Sequence, residues 1–439
     1  MTTHNIAAVI DAAPMSPYQW RVLGWCFLIA IIDGFDTHAI AYTGPAIIEA
    51  FGLSASGLAP ILAAGTLGMT VGAMVLGIIG DRLGRRQALL GAVLTFGLAS
   101  LATAFVNDTD HILVLRFIAG LGMGGATPVV LSLTAEYAPH QRRGLLMTLV
   151  LLGLPCGAIF GGLISSQLLP LVGWQGIFLI GGVGPLLLSG VLYWVLPESL
   201  HFLALSAQGQ GKIKHILAKM RPHEVLAERY SVTKAEVKAS VRALLSPTLR
   251  RNTVAIWAVY FFNFVSWFLL LSWLPTVLKI TGLATEQAPM GTVVLNTVFI
   301  VCALPLASLL AKVSVKKILL LLFGLGIVVS VGLAFSGSQW AWVFFFIGLS
   351  GMGLGGQQIV LNYMAARLYP THLRASATGW AIGLGRLGSI VGAASGGVIL
   401  DLGGPQWFYL SLIGPLLLAV WALAWIRLPD ASSAAPMND

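Results

Sequence analysis

The sequence predicts an all-α polytopic membrane protein of twelve transmembrane helices, arranged as two pseudo-symmetric six-helix halves with both termini cytoplasmic. Three observations predict it: a composition too apolar for a soluble globule, twelve apolar stretches of spanning length, and residues that recur at a fixed offset between the halves. Of 439 residues, 57% are apolar and 9% charged, against roughly a quarter charged in ordinary globular domains. At ~20 residues per crossing of a ~30 Å hydrocarbon core, most of the chain can lie in lipid.

The apolar stretches run 19–43, 57–79, 88–106, 111–135, 145–169, 174–196, 252–278, 288–311, 316–336, 340–365, 376–400 and 405–427. Residues 1–18 form a polar, mixed cytoplasmic segment without the pattern of a cleaved leader, so the first span is expected to stay as an anchor. Residues 19–196 make the N-terminal half. A charge-mixed cytoplasmic loop, 197–251, follows, with amphipathic helix expected around Ile213 to Lys219 and Thr233 to Leu245. The C-terminal half is 252–427, and 428–439 is a cytoplasmic tail. Cys26, Cys156 and Cys302 are scattered through apolar runs, without the spacing of a disulfide or metal framework. No metal or cofactor is expected.

Basic residues set the expected orientation. Arg82, Arg85, Arg86, Arg142, Arg143, Lys312, Lys316, Lys317, Arg367 and Arg374 lie in the even-numbered short loops, while the connections on the other side carry only Lys279. The positive-inside rule puts the even loops in the cytoplasm. The net charge of +9 therefore belongs to loops facing anionic lipid, and a nucleic-acid partner is not expected.

The repeat is visible by subtraction. Gly120, Gly122, Gly124, Gly125, Pro139 and Arg143 match Gly351, Gly353, Gly355, Gly356, Pro370 and Arg374, each 231 positions later. Gly153, Gly157, Gly161 and Gly162 match Gly388, Gly392, Gly396 and Gly397 at 235, which predicts a four-residue insertion. Pro45, Gly52 and Leu53 match Pro275, Gly282 and Leu283 at 230, so Asp33 corresponds to Asn263 and Asp36 to Ser266. Two parallel repeats joined by a loop are the plan of a transporter that rocks about a central site. Glycine every fourth residue also serves simple close packing.

Between spans two and three, Gly77-Ile-Ile-Gly-Asp81-Arg82-Leu-Gly84-Arg85-Arg86 matches the Gly-x-x-x-Asp-Arg-x-Gly-Arg-Arg signature and resembles the major facilitator superfamily. A carboxylate among guanidinium groups at a helix junction suits a latch on one conformation. Glu136, Arg143, Arg367 and Arg374 are expected to join it as a cytoplasmic gate, and Pro197-Glu198-Ser199 is similar to the superfamily's exit from its N-terminal half.

Asp33-Gly34-Phe35-Asp36-Thr37 with Pro45, Gly120-Leu-Gly-Met-Gly-Gly-Ala-Thr-Pro128, and Tyr369-Pro370-Thr371-His372-Leu373-Arg374-Ala375 leading to Gly379-Trp380 and Gly385-Arg386 resemble the aromatic acid:proton symporters along essentially the whole chain. The resemblance implies import, with protons, of benzoate-, hydroxybenzoate- or aryloxyacetate-like anions across a bacterial inner membrane, in organisms that degrade aromatic compounds, by a protein functional as a monomer. Gly157-Ala-Ile-Phe-Gly161-Gly162 lacks the span-five proline of drug:proton antiporters. Proton-driven export of organic anions or drugs stays open as an alternative, as does a transporter-like receptor. Enzyme chemistry is not expected.

Few charges remain at membrane depth: Asp33, Asp36, Arg116, Glu136 and Arg386. Each costs about 2.5 kcal/mol or more on insertion scales, so each is expected to face a wet or protein-lined interior. Asp33 and Asp36 share a helix face. Two nearby carboxylates resist double ionisation, so the pair reads either as a proton carrier or as a structural partner of an arginine. Arg116 heads Arg-x-x-x-Gly-x-Gly, which resembles the superfamily's span-four motif linked to proton transfer. Arg386 offers a bidentate fork for a substrate carboxylate, or a counter-charge to the aspartates from the other half. Asn263, Gln357, Gln358, Asn362, Tyr42, Trp267 and Trp380 are candidate substrate contacts, since an aromatic ring needs apolar walls and a few polar handles. His38 reads as a relay or as an ordinary hydrogen-bonded histidine.

Overall fold

The structure, a computed structural model, describes residues 3–12, 14–205, 209–221, 229–231, 241–310 and 312–427. The expected tail, 428–439, and most of the helix expected at Thr233 to Leu245 lie outside them.

A short strand β1 (Thr3–Asn5) leads into α1 (Ile6–Asp11), which Asn5 caps. The first membrane helix, α2 (Pro17–Phe51), begins in a reciprocal capping box: Gln19 N–H donates to Ser16 Oγ at 3.3 Å and Ser16 N–H to Gln19 Oε1 at 2.8 Å. It stops at Gly52, left-handed at φ 61°. Then come α3 (Ala55–Leu83), α4 (Arg85–Thr103), α5 (Thr109–Tyr137), α6 (Arg143–Leu151) and α7 (Gly153–Val195). The central stretch holds α8 (Leu200–Leu205), α9 (Gln210–Met220), β2 (Arg229–Ser231) and α10 (Val241–Leu244). The second half runs α11 (Arg250–Ile280), α12 (Pro289–Leu309), α13 (Val315–Phe335), α14 (Trp340–Ser350), a π-helical turn (Gly351–Gly355), α15 (Gly356–Leu368), α16 (Thr371–Ser411) and α17 (Ile413–Trp425).

Among the described residues, ten helical runs are long and apolar enough to cross a membrane, but Arg143–Val195 and Ser376–Trp425 hold 53 and 50 residues. At ~1.5 Å per residue each exceeds twice a ~30 Å core. Each is broken at a non-helical glycine, Gly173 (φ 64°, ψ −175°) and Gly404 (φ 67°, ψ −168°). Each run therefore makes two crossings, and the chain has twelve transmembrane helices.

The described residues fall into two compact units. One lies within Met1–Leu53, Pro60–Lys234 and Ala284–Val293, the other within Ser54–Ala59, Ala235–Leu283 and Val294–Asp439. In the first, α2 packs on α7 and α5, and α4 on both; in the second, α11 packs on α16 and α17, and α13 on α16.

These contacts correct one expectation. Gly157 lies against the backbone of Ile31 and Phe35, and Gly388 against that of Phe261. Ile31 and Phe261 stand 230 apart, so the partner of Gly157 is Gly388, at 231. Gly392 on Val265 repeats Gly161 on Phe35 in the same way. The offset of 235 and its four-residue insertion fall away. Glycine recurring at every helical turn lets the alignment slide one turn without losing a match.

The cytoplasm-predicted pieces are built into the first unit. β1 pairs in parallel with β2, and Ile6 and Ile10 of α1 join Ile213, Leu217 and Tyr230 in the same buried core as α4 and α5. Arg221 donates to the Pro14 carbonyl at 2.8 Å and that of Ile10 at 3.2 Å. The amphipathic stretch Ile213 to Lys219 is helical, in α9.

Candidate functional site

Asp33 and Asp36 are both 1% exposed on α2, yet they face different partners. Asp33 accepts from Thr37 Oγ1 at 3.4 Å and from Thr127 Oγ1 of α5 at 3.1 Å. Asp36 Oδ1 accepts from Ser100 Oγ of α4 at 2.5 Å and stands 3.6 Å from Arg116 Nη1 of α5. Arg116 Nη2 donates to Ser100 Oγ at 2.9 Å and Thr103 Oγ1 at 3.1 Å, and its guanidinium lies 4.6 Å over the Phe178 ring of α7. A Cβ at Gly181 would come within 3.2 Å of Asp36 Oδ1, so glycine there lets α7 close over the acid. Asp36 Oδ2 has no hydrogen-bond partner.

Arg116, from the same half, is thus the counter-charge of Asp36. Arg386 sits half-buried on α16 in the second unit. His38 Nδ1 is 2.7 Å from the Gly34 carbonyl, and its ring stacks on Tyr42. Tyr42 is fully buried with its hydroxyl donating to the Ala158 carbonyl at 2.6 Å. It packs at the α2–α7 interface, where its one proton is already used.

The second unit holds a network without charge. Buried Asn263 donates to Gln357 Oε1 at 2.5 Å and accepts from Gln358 Nε2; Gln357 donates on to the Leu322 carbonyl at 3.2 Å. Tyr260 donates to Asn362 Oδ1 at 2.8 Å. Asn263 and Gln358 hold the repeat positions of Asp33 and Thr127, so one pairing recurs in both halves with different chemistry. The π-helical turn immediately before Gln357 has no counterpart at Gly120–Gly124, which lies in regular α5. Such turns re-aim side chains and cluster at functional sites. Trp267 packs on Phe299 and against Gly355, and half-exposed Trp380 lies beside Trp257.

The gate residues of the first unit converge. Arg85 pairs with Glu136, which also accepts from Ser199 Oγ at 2.7 Å and His201 N–H at 3.3 Å. Glu198 accepts from the backbone N–H of Arg86 at 2.9 Å and of Ser199 at 2.8 Å. Arg86 donates to the Tyr193 carbonyl and lies over its ring. Gly84 is left-handed at φ 101°, and a Cβ there would meet Glu198 Oε2 at 2.5 Å. Gly77 faces open space, and Arg82 is exposed. Arg143 is half-buried; Arg367, over the Tyr363 ring, and Arg374 are exposed. The Asp81 side chain lies outside the described residues. Within the first unit, the side chain that faces Glu136 directly is Arg85.

Ser100, Thr103, Thr127, Phe178 and Glu198 were not singled out as site residues. Hydroxyls in an apolar helix ordinarily bond their own backbone, as Thr103 does to the Ala99 carbonyl at 2.8 Å, so sequence alone gives no sign that they also serve a charge. Two of them lie in motifs that the sequence displays, Thr127 in Gly120–Pro128 and Glu198 in the Pro-Glu-Ser exit.

The family model described as Major Facilitator Superfamily matches residues 26–381 and 256–437. The 4-hydroxybenzoate transporter PcaK of Pseudomonas aeruginosa is 35% identical over 403 residues, 91% of this chain and 90% of that protein. The gallate transporter of Pseudomonas putida is 35% identical over 396 residues, 90% and 88% of the two chains. The 3-(3-hydroxy-phenyl)propionate transporter of Escherichia coli is 30% identical over 419 residues, 95% and 96%. Among solved structures, the D-xylose-proton symporter shares the fold at a TM-score of 0.71 and 18% identity, over 94% of this chain and 98% of that one. The chain is therefore a membrane transporter of the major facilitator superfamily and belongs, within it, to the family of these aromatic-acid transporters.

Proposed function

We propose that this protein imports an aromatic carboxylate together with protons across a bacterial inner membrane, by alternating access and as a monomer with both termini cytoplasmic. The observation that carries the reading is the asymmetry of buried charge. The first half holds acids and a base at membrane depth, Asp33, Asp36 and Arg116, and the matching positions of the second half, Asn263, Ser266 and Ile347, are uncharged. A buried carboxylate with one unpartnered oxygen suits reversible protonation, and an amide network beside aromatic rings suits a substituted ring. Relatives that carry 4-hydroxybenzoate, gallate and 3-(3-hydroxy-phenyl)propionate support the substrate class.

Asp36 and Asp33 take the coupling role with Arg116, and Arg386 anchors the carboxylate. Asn263, Gln357, Gln358 and Asn362 read ring substituents beside Trp267 and Trp380, and Arg85, Arg86, Glu136 and Glu198 latch the cytoplasmic side. A monoanion moving with one proton is electroneutral; a second proton would add ~2.3 kcal/mol per 100 mV of membrane potential.

The test is uptake of radiolabelled benzoate, 4-hydroxybenzoate, gallate and an aryloxyacetate, with and without a protonophore. Accumulation that the protonophore abolishes supports the proposal. Increased retention under the protonophore means export, and binding without accumulation means a receptor.

A further inference from the structure

We infer that Ser100 is a positioning residue for proton coupling: its hydroxyl, wedged between Asp36 and Arg116, sets the pH at which the acid takes up and releases its proton. The inference rests on the coupling role proposed for Asp36.

The geometry is directional. A guanidinium only donates, so in the 2.9 Å contact with Arg116 Nη2 the Ser100 oxygen is the acceptor. A hydroxyl has a single hydrogen, and the 2.5 Å contact with Asp36 Oδ1 takes it. Arg116 thereby orients the serine hydrogen toward the carboxylate. Direct contact between the charges is long: 3.6 Å separates Arg116 Nη1 from Oδ1, beyond the ~2.7–3.2 Å of a good N–H···O bond. The ion pair is therefore joined chiefly through Ser100, which is fully buried on α4. Thr103 shares the Arg116 contact, but its own hydrogen goes to the Ala99 carbonyl, so it steadies the base without touching the acid.

This arrangement favours the ionised acid at Oδ1 and leaves Oδ2 free of partners. A proton arriving on Oδ2 makes a neutral carboxylic acid, forming one O–H bond, and turns the cluster from net neutral to net positive. Release from Oδ2 restores the ion pair with the serine bond already in place. Asp33, one turn earlier on α2, is the nearest other acid on that helix, and the remaining charges on the helices around Asp36 lie toward their ends. α7 carries no Asp, Glu, Lys or Arg, and α4 has only Arg85 and Arg86, at its opposite end. On α2 itself, Asp33 is bonded to Thr37 and Thr127, and His38 to the Gly34 carbonyl. On α5, Asp110 and His111 sit in the first turn and Glu136 at the far end.

The experiment measures initial uptake of labelled 4-hydroxybenzoate against external pH in the wild type, Ser100→Ala, Ser100→Thr and Ser100→Cys, with surface expression quantified. A hydrogen bond to a charged group corresponds to about one pH unit or more. Ser100→Ala loses a donor to the ionised form only, so its midpoint is expected to move alkaline by about that much. Ser100→Thr keeps the hydroxyl and the wild-type midpoint. Ser100→Cys, a weak donor of nearly the same size, falls between them and decides the matter if the alanine variant fails to reach the membrane. Variants that lower uptake equally at every pH, with an unmoved midpoint, would reduce Ser100 to packing and overturn the inference while leaving proton coupling intact. Wild-type uptake insensitive to pH and to a protonophore would overturn the coupling reading and this inference together.

Discussion

Removing both partners of the Asp36–Arg116 pair should destabilise the protein by less than the sum of the two single removals. The two side chains are 0% and 2% exposed and 3.6 Å apart. At an effective dielectric of ~20, charges at that separation attract by about 4–5 kcal/mol. Deleting one partner of a buried pair leaves a charge without compensation and costs about 3–5 kcal/mol. Arg116→Gln and Asp36→Asn should each approach that loss, whereas the double variant, with amides on the same hydroxyls, should recover about 2–3 kcal/mol of the summed penalty. The assay is thermal unfolding of the four proteins in one detergent, read as a double-mutant cycle. The sign of its pH dependence is fixed as well. Arg116→Gln should regain stability as pH falls, because a protonated Asp36 needs no counter-charge. Single-variant losses that add within about 0.5 kcal/mol at neutral pH would refute the reasoning, since the side chains would then not be energetically coupled.

Three further outcomes follow from the same geometry. Gly84→Ala should lower uptake sharply, because a left-handed backbone costs a β-carbon about 1–2 kcal/mol and this one would press on Glu198; wild-type uptake would remove Gly84 from the gate. Asn263→Ala strips both Gln357 and Gln358 of a partner, at about 1–3 kcal/mol per group left unpaired, and should raise KM for ring-hydroxylated substrates more than for benzoate; an equal change for both would argue against ring readout. The Asp401 carboxylate accepts from the N–H groups of Ala55 at 3.2 Å and Ser56 at 2.9 Å, at the start of α3. Asp401→Ala should therefore cost about 1 kcal/mol, as loss of a helix cap does, and appear as a lower Tm; an unchanged Tm would dismiss the cap.

Much of the architecture was legible because membrane helices declare themselves by length. The breaks at Gly173 and Gly404 separated spans five from six and eleven from twelve in the hydropathy pattern, and the structure breaks at those residues. The register was less legible, since Gly157 and Gly161 match Gly388 and Gly392 one turn away from the alignment that looks longest. The charges at membrane depth stood out as costly, but their pairing did not. The sequence points to Arg386 as the counter-charge of the aspartates, whereas the fold puts Arg116 3.6 Å from Asp36, with Ser100 of α4 between them. Residues 1–18 read as a polar, mixed segment, whereas Ile6 and Ile10 are buried with α9, because a strand of three residues and a helix of six carry no period long enough to read.

The central claim is that Asp36 carries the proton that drives accumulation, and Asp36→Asn tests it most directly. Uptake of labelled 4-hydroxybenzoate down its gradient, exchange of label at equal concentrations, and accumulation against a gradient should be measured in one set of membrane vesicles with an imposed pH difference. The account predicts that Asp36→Asn retains exchange and loses pH-driven accumulation; accumulation at the wild-type level, still abolished by a protonophore, would contradict it.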